Sequence, residues 1–121
     1  SFLFFLFIYL YRIKGEIMKK IDIIKSSNEY TEIINNSKAK RNKYFSIYYR
    51  NNNKNNRYGI TVPKKTGNAV IRNKTKRRIK NIIDNNKNTI QNGYDYVIIV
   101  RKGIIDLTYK EIEQELLNLL K

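Results

Sequence analysis

Arg72, Asn73, Lys74, Lys76, Arg77 and Lys80 crowd into one short stretch, and Lys64 and Lys65 stand just ahead of it. Guanidinium, ammonium and amide groups are donors for phosphate oxygens, and an Arg fork can grip two at once. Their chemistry is anion capture, not bond cleavage. The setting sharpens this: residues 33–83 hold fifteen Lys and Arg and no Asp or Glu, whereas the other seventy residues hold ten of each sign. The net charge of +15 is therefore a local field. Such a field steers a polyanion and gains from counterion release as phosphates are neutralised.

Bond-breaking chemistry finds little material. The chain has no Cys and no His, which removes soft metal sites, thiol and imidazole nucleophiles and imidazole bases. With every acid outside 33–83, no acid–base pair or carboxylate metal cage can be assembled. We therefore expect no catalytic residue and no metal ligand. A chain of 121 residues, 41% apolar, supports one domain with a modest core. Abundant Lys, Asn and Ile is what AT-rich codons specify, so the asparagines carry no functional signal. The lack of Cys fits a reducing cytosol.

Residues 1–17 differ from the rest. Ser1 to Tyr11 form an apolar run of about 16 Å if helical, against about 30 Å of bilayer hydrocarbon. No basic segment precedes the run and no small-residue cleavage site follows it, as a signal peptide would need. Met18-Lys19-Lys20 resembles a start, so 1–17 is read as an upstream, non-native or disordered apolar extension and 18–121 as the domain. A membrane-associating anchor is the alternative.

The elements that must position the cations follow from periodicity. Ser26 and Glu29 have capping-box spacing, and Tyr30, Ile33 and Ile34 then share one face of a helix to about Asn36. Alternation predicts a strand Tyr44–Arg50, with Phe45, Ile47 and Tyr49 inward and Tyr44, Ser46 and Tyr48 solvated. A polar turn, 51–56, leads to a second strand, Arg57–Pro63, with Tyr58, Ile60 and Val62 inward and Arg57, Gly59 and Thr61 outward. The two strands are expected to form a hairpin. Its outer face would be an open surface of tyrosines and cations for stacking RNA bases, or Tyr44 and Tyr48 would only cover a sheet edge. A helix from about Asn68 to Asp84 docks through Ile71, Thr75, Ile79, Ile82 and Ile83 and is cationic on both flanks. Arg72, Lys76 and Lys80 repel one another at i,i+4, so nothing in helix stability favours them. Thr108 and Glu111 open a closing helix with a stripe of Ile112, Leu116, Leu119 and Leu120.

The stretch Arg57 to Ile83, RYGITVPKKTGNAVIRNKTKRRIKNII, resembles the protein component of bacterial ribonuclease P. The family's Gly-x-Ala-Val-x-Arg-Asn-x-x-Lys-Arg run is matched by Gly67, Ala69, Val70, Arg72, Asn73, Lys76 and Arg77. The similarity extends over about residues 18–121. It implies an α+β fold, a two-layer α/β sandwich of order α-β-β-β-α-β-α related to a ribosomal-protein domain, with Tyr94–Val100 as the last strand and a left-handed βαβ crossover. General topology rules would have favoured the right-handed form.

The resemblance also implies a role. The RNA subunit, with Mg²⁺ bound in the RNA–protein complex, cuts the 5′ leader from precursor tRNA in the cytoplasm; the protein binds no cofactor by itself and supplies positioning and charge. Arg72, Asn73, Lys74, Lys76, Arg77 and Lys80 match the motif that contacts the catalytic RNA and borders the cleft, with Lys64 and Lys65 beside them. Tyr30, Ile34, Ser46 and Tyr48 match the leader cleft. No membrane or protein partner is implied. Three positions depart from the pattern. Lys74 replaces an Arg and loses a bidentate fork, Ile34 replaces a common aromatic, and Pro63 removes a backbone donor. A ribosomal or other RNA-scaffold protein would share the composition but not the ordered run from Gly67 to Arg77. A membrane-surface protein would need Ile71, Ile79 and Ile83 exposed.

Overall fold

The computed structural model describes residues 22–24 and 26–120. The reading of 1–17 as an upstream extension lies outside them. The chain runs β1 (Asp22–Ile23), α1 (Ser27–Asn35), β2 (Lys38–Arg41), β3 (Phe45–Asn51), β4 (Arg57–Thr61), α2 (Ala69–Asn85), β5 (Tyr94–Val100) and α3 (Tyr109–Leu120). The expected order is thus preserved, preceded by a two-residue strand.

The strands form one sheet in the order β1-β4-β5-β3-β2. Here the expected hairpin fails: β3 and β4 do not pair. Strand β5 lies between them, antiparallel to β3 and parallel to β4. The Tyr94–Val100 segment is nearly continuously apolar because it is central and covered on both faces. The true hairpin is β2–β3, where Lys38 pairs with Tyr49 and Arg41 with Ser46.

Alternation divides the core. One face carries Phe45, Ile47, Tyr58, Ile60, Val62, Tyr96, Ile98 and Val100 against α2 and α3. The main sandwich lies there. From α2 come Thr75, Ile79, Ile82 and Ile83, all buried, whereas Ile71 is 36% exposed rather than docked. Ile71 instead folds back over Gly67, where an added Cβ would lie 2.9 Å from its Cγ2. From α3 come Ile112, Leu116, Leu117 and Leu120, with Leu119 only partly covered. Its capping box is complete: Glu111 N donates to Thr108 Oγ1 and Thr108 N to Glu111 Oε1.

Among the described residues the other face is covered by α1, a narrower third layer. Ile33 is fully buried there with Ile24 and Val97, while Tyr30, Ile34, Tyr48 and Ile99 pack around them partly exposed. The outward strand positions are therefore half-covered, not fully solvated. The first capping box is half-formed. Glu29 N donates to Ser26 Oγ, but the Glu29 carboxylate turns away to Arg57.

Candidate RNA interface

Helix α2 begins at Asn68, whose Oδ1 accepts from Ile71 N at 3.0 Å. From there one seventeen-residue helix carries all six motif residues. Asn73, Lys74, Arg77 and Lys80 are exposed, and Arg72 and Lys76 are half-buried along the docked stripe. Lys64 and Lys65 are exposed on a helical turn, Lys64–Thr66, just past β4. Arg72 Nε is buried with no partner among the described residues. The first turn of this helix holds no acid, and the one acid in the helix, Asp84 in its last turn, pairs with Lys87 rather than with the motif cations.

Of the four residues matched to the leader cleft, Tyr30, Ile34 and Tyr48 pack around one small cluster between α1 and the sheet. Ser46 lies on the same sheet face two residues from Tyr48, and this face is termed the groove. Tyr30 and Ile34 come from α1; Tyr48 and Ser46 come from the β3 face turned toward it. Register places Ser46 between Arg41 and Ile99, with Thr61 beyond, and Tyr48 between Ala39 and Val97, with Gly59 beyond. Arg41 Nη2 donates to the Tyr48 hydroxyl at 3.2 Å, so one cation stands at the groove wall. Tyr30 roofs Gly59 so closely that a Cβ there would lie 2.5 Å from the Tyr30 Cζ and hydroxyl oxygen. Gly59 is thus not an open patch for stacking; it is the seat of the Tyr30 ring. Burial pushes the Tyr30 hydroxyl up from its ordinary pKa, partly offset by hydrogen bonds from Thr61 and Ile60.

At the far end of the groove the cationic character is cancelled. Asp95 is 1% exposed and lies in register between Arg50 and Arg57. Arg57 Nε and Nη2 donate to its two oxygens at 2.9 Å each, Arg50 Nε donates at 3.2 Å, and Asn52 Nδ2 at 2.7 Å. Burial alone would raise the carboxyl pKa, but these donors and the Arg57 charge hold it below the usual range. Arg57 is raised, chiefly by its bond to Asp95. Glu29 and Glu32 pair with Arg57 and Arg50 at 3.2 and 3.1 Å. Two of the fifteen cations in the acid-free segment are therefore structural, neutralised by residues distant in sequence. One signal was available for this: an acid inside the apolar strand YDYVIIV needs a cationic partner.

Among the described residues no cluster of three or more His, Cys, Asp or Glu could hold a metal ion, and no helix is long and apolar enough to cross a membrane. An α+β sheet with a half-covered aromatic face and a cation-rich helix is the architecture of an RNA-binding protein. The chain belongs to the ribonuclease P protein family: the Ribonuclease P family model matches residues 18–121. It is 43% identical over 106 residues to the ribonuclease P protein component of Mycoplasma mycoides, covering 86% of this chain and 97% of that one. It is 41% identical over 105 residues to that of Streptococcus agalactiae, covering 86% and 95%. Among solved structures it is similar to the RNase P protein from Thermotoga maritima (TM-score 0.78, 33% identity, 83% of this chain and 96% of that chain). It is also similar to that of Staphylococcus aureus (TM-score 0.77, 34% identity, 84% and 94%). Its function is accordingly that of the protein subunit of a tRNA-processing endonuclease, and the RNA-scaffold alternative is not favoured.

Proposed function

We propose that this chain holds two RNAs together. Helix α2, through Arg72, Asn73, Lys74, Lys76, Arg77 and Lys80, with Lys64 and Lys65, grips the catalytic RNA of ribonuclease P. The groove of Tyr30, Ile34, Ser46 and Tyr48 takes the single-stranded 5′ leader of precursor tRNA. The observation that supports this reading is that Tyr30, Ile34 and Tyr48 pack around one cluster between α1 and β3, with Ser46 on the same sheet face, which α1 alone covers among the described residues. Tyrosine faces stack bases without demanding a particular sequence, and the neighbouring Arg41 supplies charge for a phosphate. Ile34 offers apolar contact but no stack.

The chemistry stays with the RNA. Magnesium ions would be held by RNA phosphates, because the carboxylates here are dispersed and Asp95, the most buried, is saturated by Arg57, Arg50 and Asn52. The protein lowers the cost of bringing two polyanions together and aligns the leader relative to the cut. A cytoplasmic location follows from that role. The test is reconstitution: this protein is added to a bacterial ribonuclease P RNA at low Mg²⁺, and precursor cleavage is expected to be restored. Cleavage by the protein alone, or no enhancement of the RNA, would refute it.

A further inference from the structure

A second aromatic and basic cluster lies on the opposite face of the sheet. Strand β2 alternates its side chains, so Ala39 and Arg41 face the groove while Lys38 and Lys40 face the other way, beside Tyr49 and Ile47. Lys40 Nζ sits 5.3 Å over the Tyr49 ring. Tyr49 meets Tyr94 edge-on with centroids 5.9 Å apart. A cavity of 410 Å³ opens here, lined by Ser37, Lys38, Tyr49, Asn51 and Tyr94 among others. That volume falls within the range of about 300–1,000 Å³ that small-molecule sites occupy. The Ser37 Oγ is buried with no hydrogen-bond partner among the described residues. Core packing accounts for Tyr58 and Tyr96, each 4% exposed and stacked at 5.5 Å. It does not account for Tyr49 and Tyr94, which are only partly covered, or for two lysines set beside them with no acid among the cavity's lining residues.

We propose that this cavity is a second RNA-binding site, taking one unpaired nucleotide. The base stacks against Tyr94 and Tyr49, Lys38 and Lys40 take the flanking phosphate, and the Asn51 amide bonds the base edge or the ribose. Lys40 lies over the ring face that a base would take, and its flexible stem lets the ammonium move to the phosphate as the base enters. Because β2 is the edge strand, its consecutive residues Lys40 and Arg41 carry charge to both faces. A single strand leaving the groove could therefore cross the edge from one cation to the next. The nucleotide is either an upstream leader residue following that path or an unpaired residue of the catalytic RNA.

This proposal rests on the chain's binding RNA as a ribonuclease P subunit, and the experiment separates the two. Variants Tyr94→Leu and Lys38→Ala with Lys40→Ala are titrated against labelled oligouridylate, catalytic RNA, and holoenzyme substrates with short and long leaders. Loss of one base stack weakens binding by about 5- to 150-fold. A loss confined to the long-leader precursor assigns the site to the leader; a loss for the catalytic RNA and both precursors assigns it to that RNA. Unchanged affinity in every arm overturns the proposal. So does a loss in the lysine variant with none in Tyr94→Leu, which would reveal only the general field. Should Tyr94→Leu fail to fold, a photoreactive uridine crosslinking to Tyr49 or Tyr94 of the unaltered protein supports the site, and its absence there opposes it. If the unaltered protein does not stimulate cleavage, the proposed function fails while the oligouridylate arm still decides this site.

Discussion

Replacing Gly59 by Ala tests whether the Tyr30 ring is held by the sheet beneath it. The new Cβ would lie 2.5 Å from the Tyr30 Cζ and hydroxyl oxygen, where relaxed carbon contacts need about 3.5–4.0 Å. The ring must lift by about 1 Å or more to restore that spacing. Lifting loosens the packing of the ring between α1 and the sheet. Overpacking of this kind costs about 2 kcal/mol, and the lower chain entropy of unfolded Ala returns about 0.7 kcal/mol. The net loss is about 1 kcal/mol, a Tm lower by about 4–8 °C. Thermal melts of a double-mutant cycle supply the assay. In a Tyr30→Ala background the clash is gone, so Gly59→Ala should be neutral or slightly stabilising. The displaced ring should also reduce the preference for precursor over mature tRNA, read as a ratio of Kd values. An equal stability cost in both backgrounds would refute the reasoning.

Asp95→Asn should destabilise the fold by about 3 kcal/mol, the low end for breaking a buried pair, because Arg50 and Arg57 keep some solvent contact; urea unfolding measures it. Since the Asp95 carboxyl is held below its unfolded value, its contribution is complete above about pH 4 and is lost as pH falls through the folded value. That acid-dependent loss should be absent from Asp95→Asn. If about five phosphates are neutralised, log affinity for single-stranded RNA should fall with log salt at a slope of about −3.5; a flat profile would contradict the charge argument. Arg72→Ala with Lys76→Ala should weaken catalytic-RNA binding, whereas Tyr48→Ala should mainly weaken precursor relative to mature tRNA. Equal loss for both substrates would remove Tyr48 from the groove.

The helices were legible because their signals are local: caps at Ser26, Asn68 and Thr108 and apolar stripes at helical spacing set their boundaries to within a residue or two. Strands β3 and β4 followed from period-two alternation, whereas β5, nearly continuously apolar, came only from the family resemblance. Pairing did not. Two strands joined by a polar turn suggest a hairpin, but nothing in residues 44–63 encodes that a strand forty residues later inserts between them. The same non-local step hid the pairing of Asp95 with Arg50 and Arg57, and made the acid-free segment look more uniformly cationic than the folded surface is. Ile71 misled for a different reason: it fits the helical stripe, but lies in the first turn of α2, where it covers Gly67 rather than the sheet. Tyr30, Ile34, Ser46 and Tyr48 were reachable only through family resemblance, since the side of the sheet on which α1 docks is set by tertiary packing that local periodicity does not encode.

The insertion of β5 also dictates an order of assembly. As the chain emerges during synthesis, β2 and β3 can zip together early, but β4 has only the two residues of β1 to pair with until residues 94–100 arrive. The sheet is thus locked only when β5 inserts between β3 and β4, and its long-range pairing favours slow, cooperative closure. A nascent or truncated chain stopping short of Tyr94 would display two raw strand margins, on β3 and β4, open to pairing with other copies.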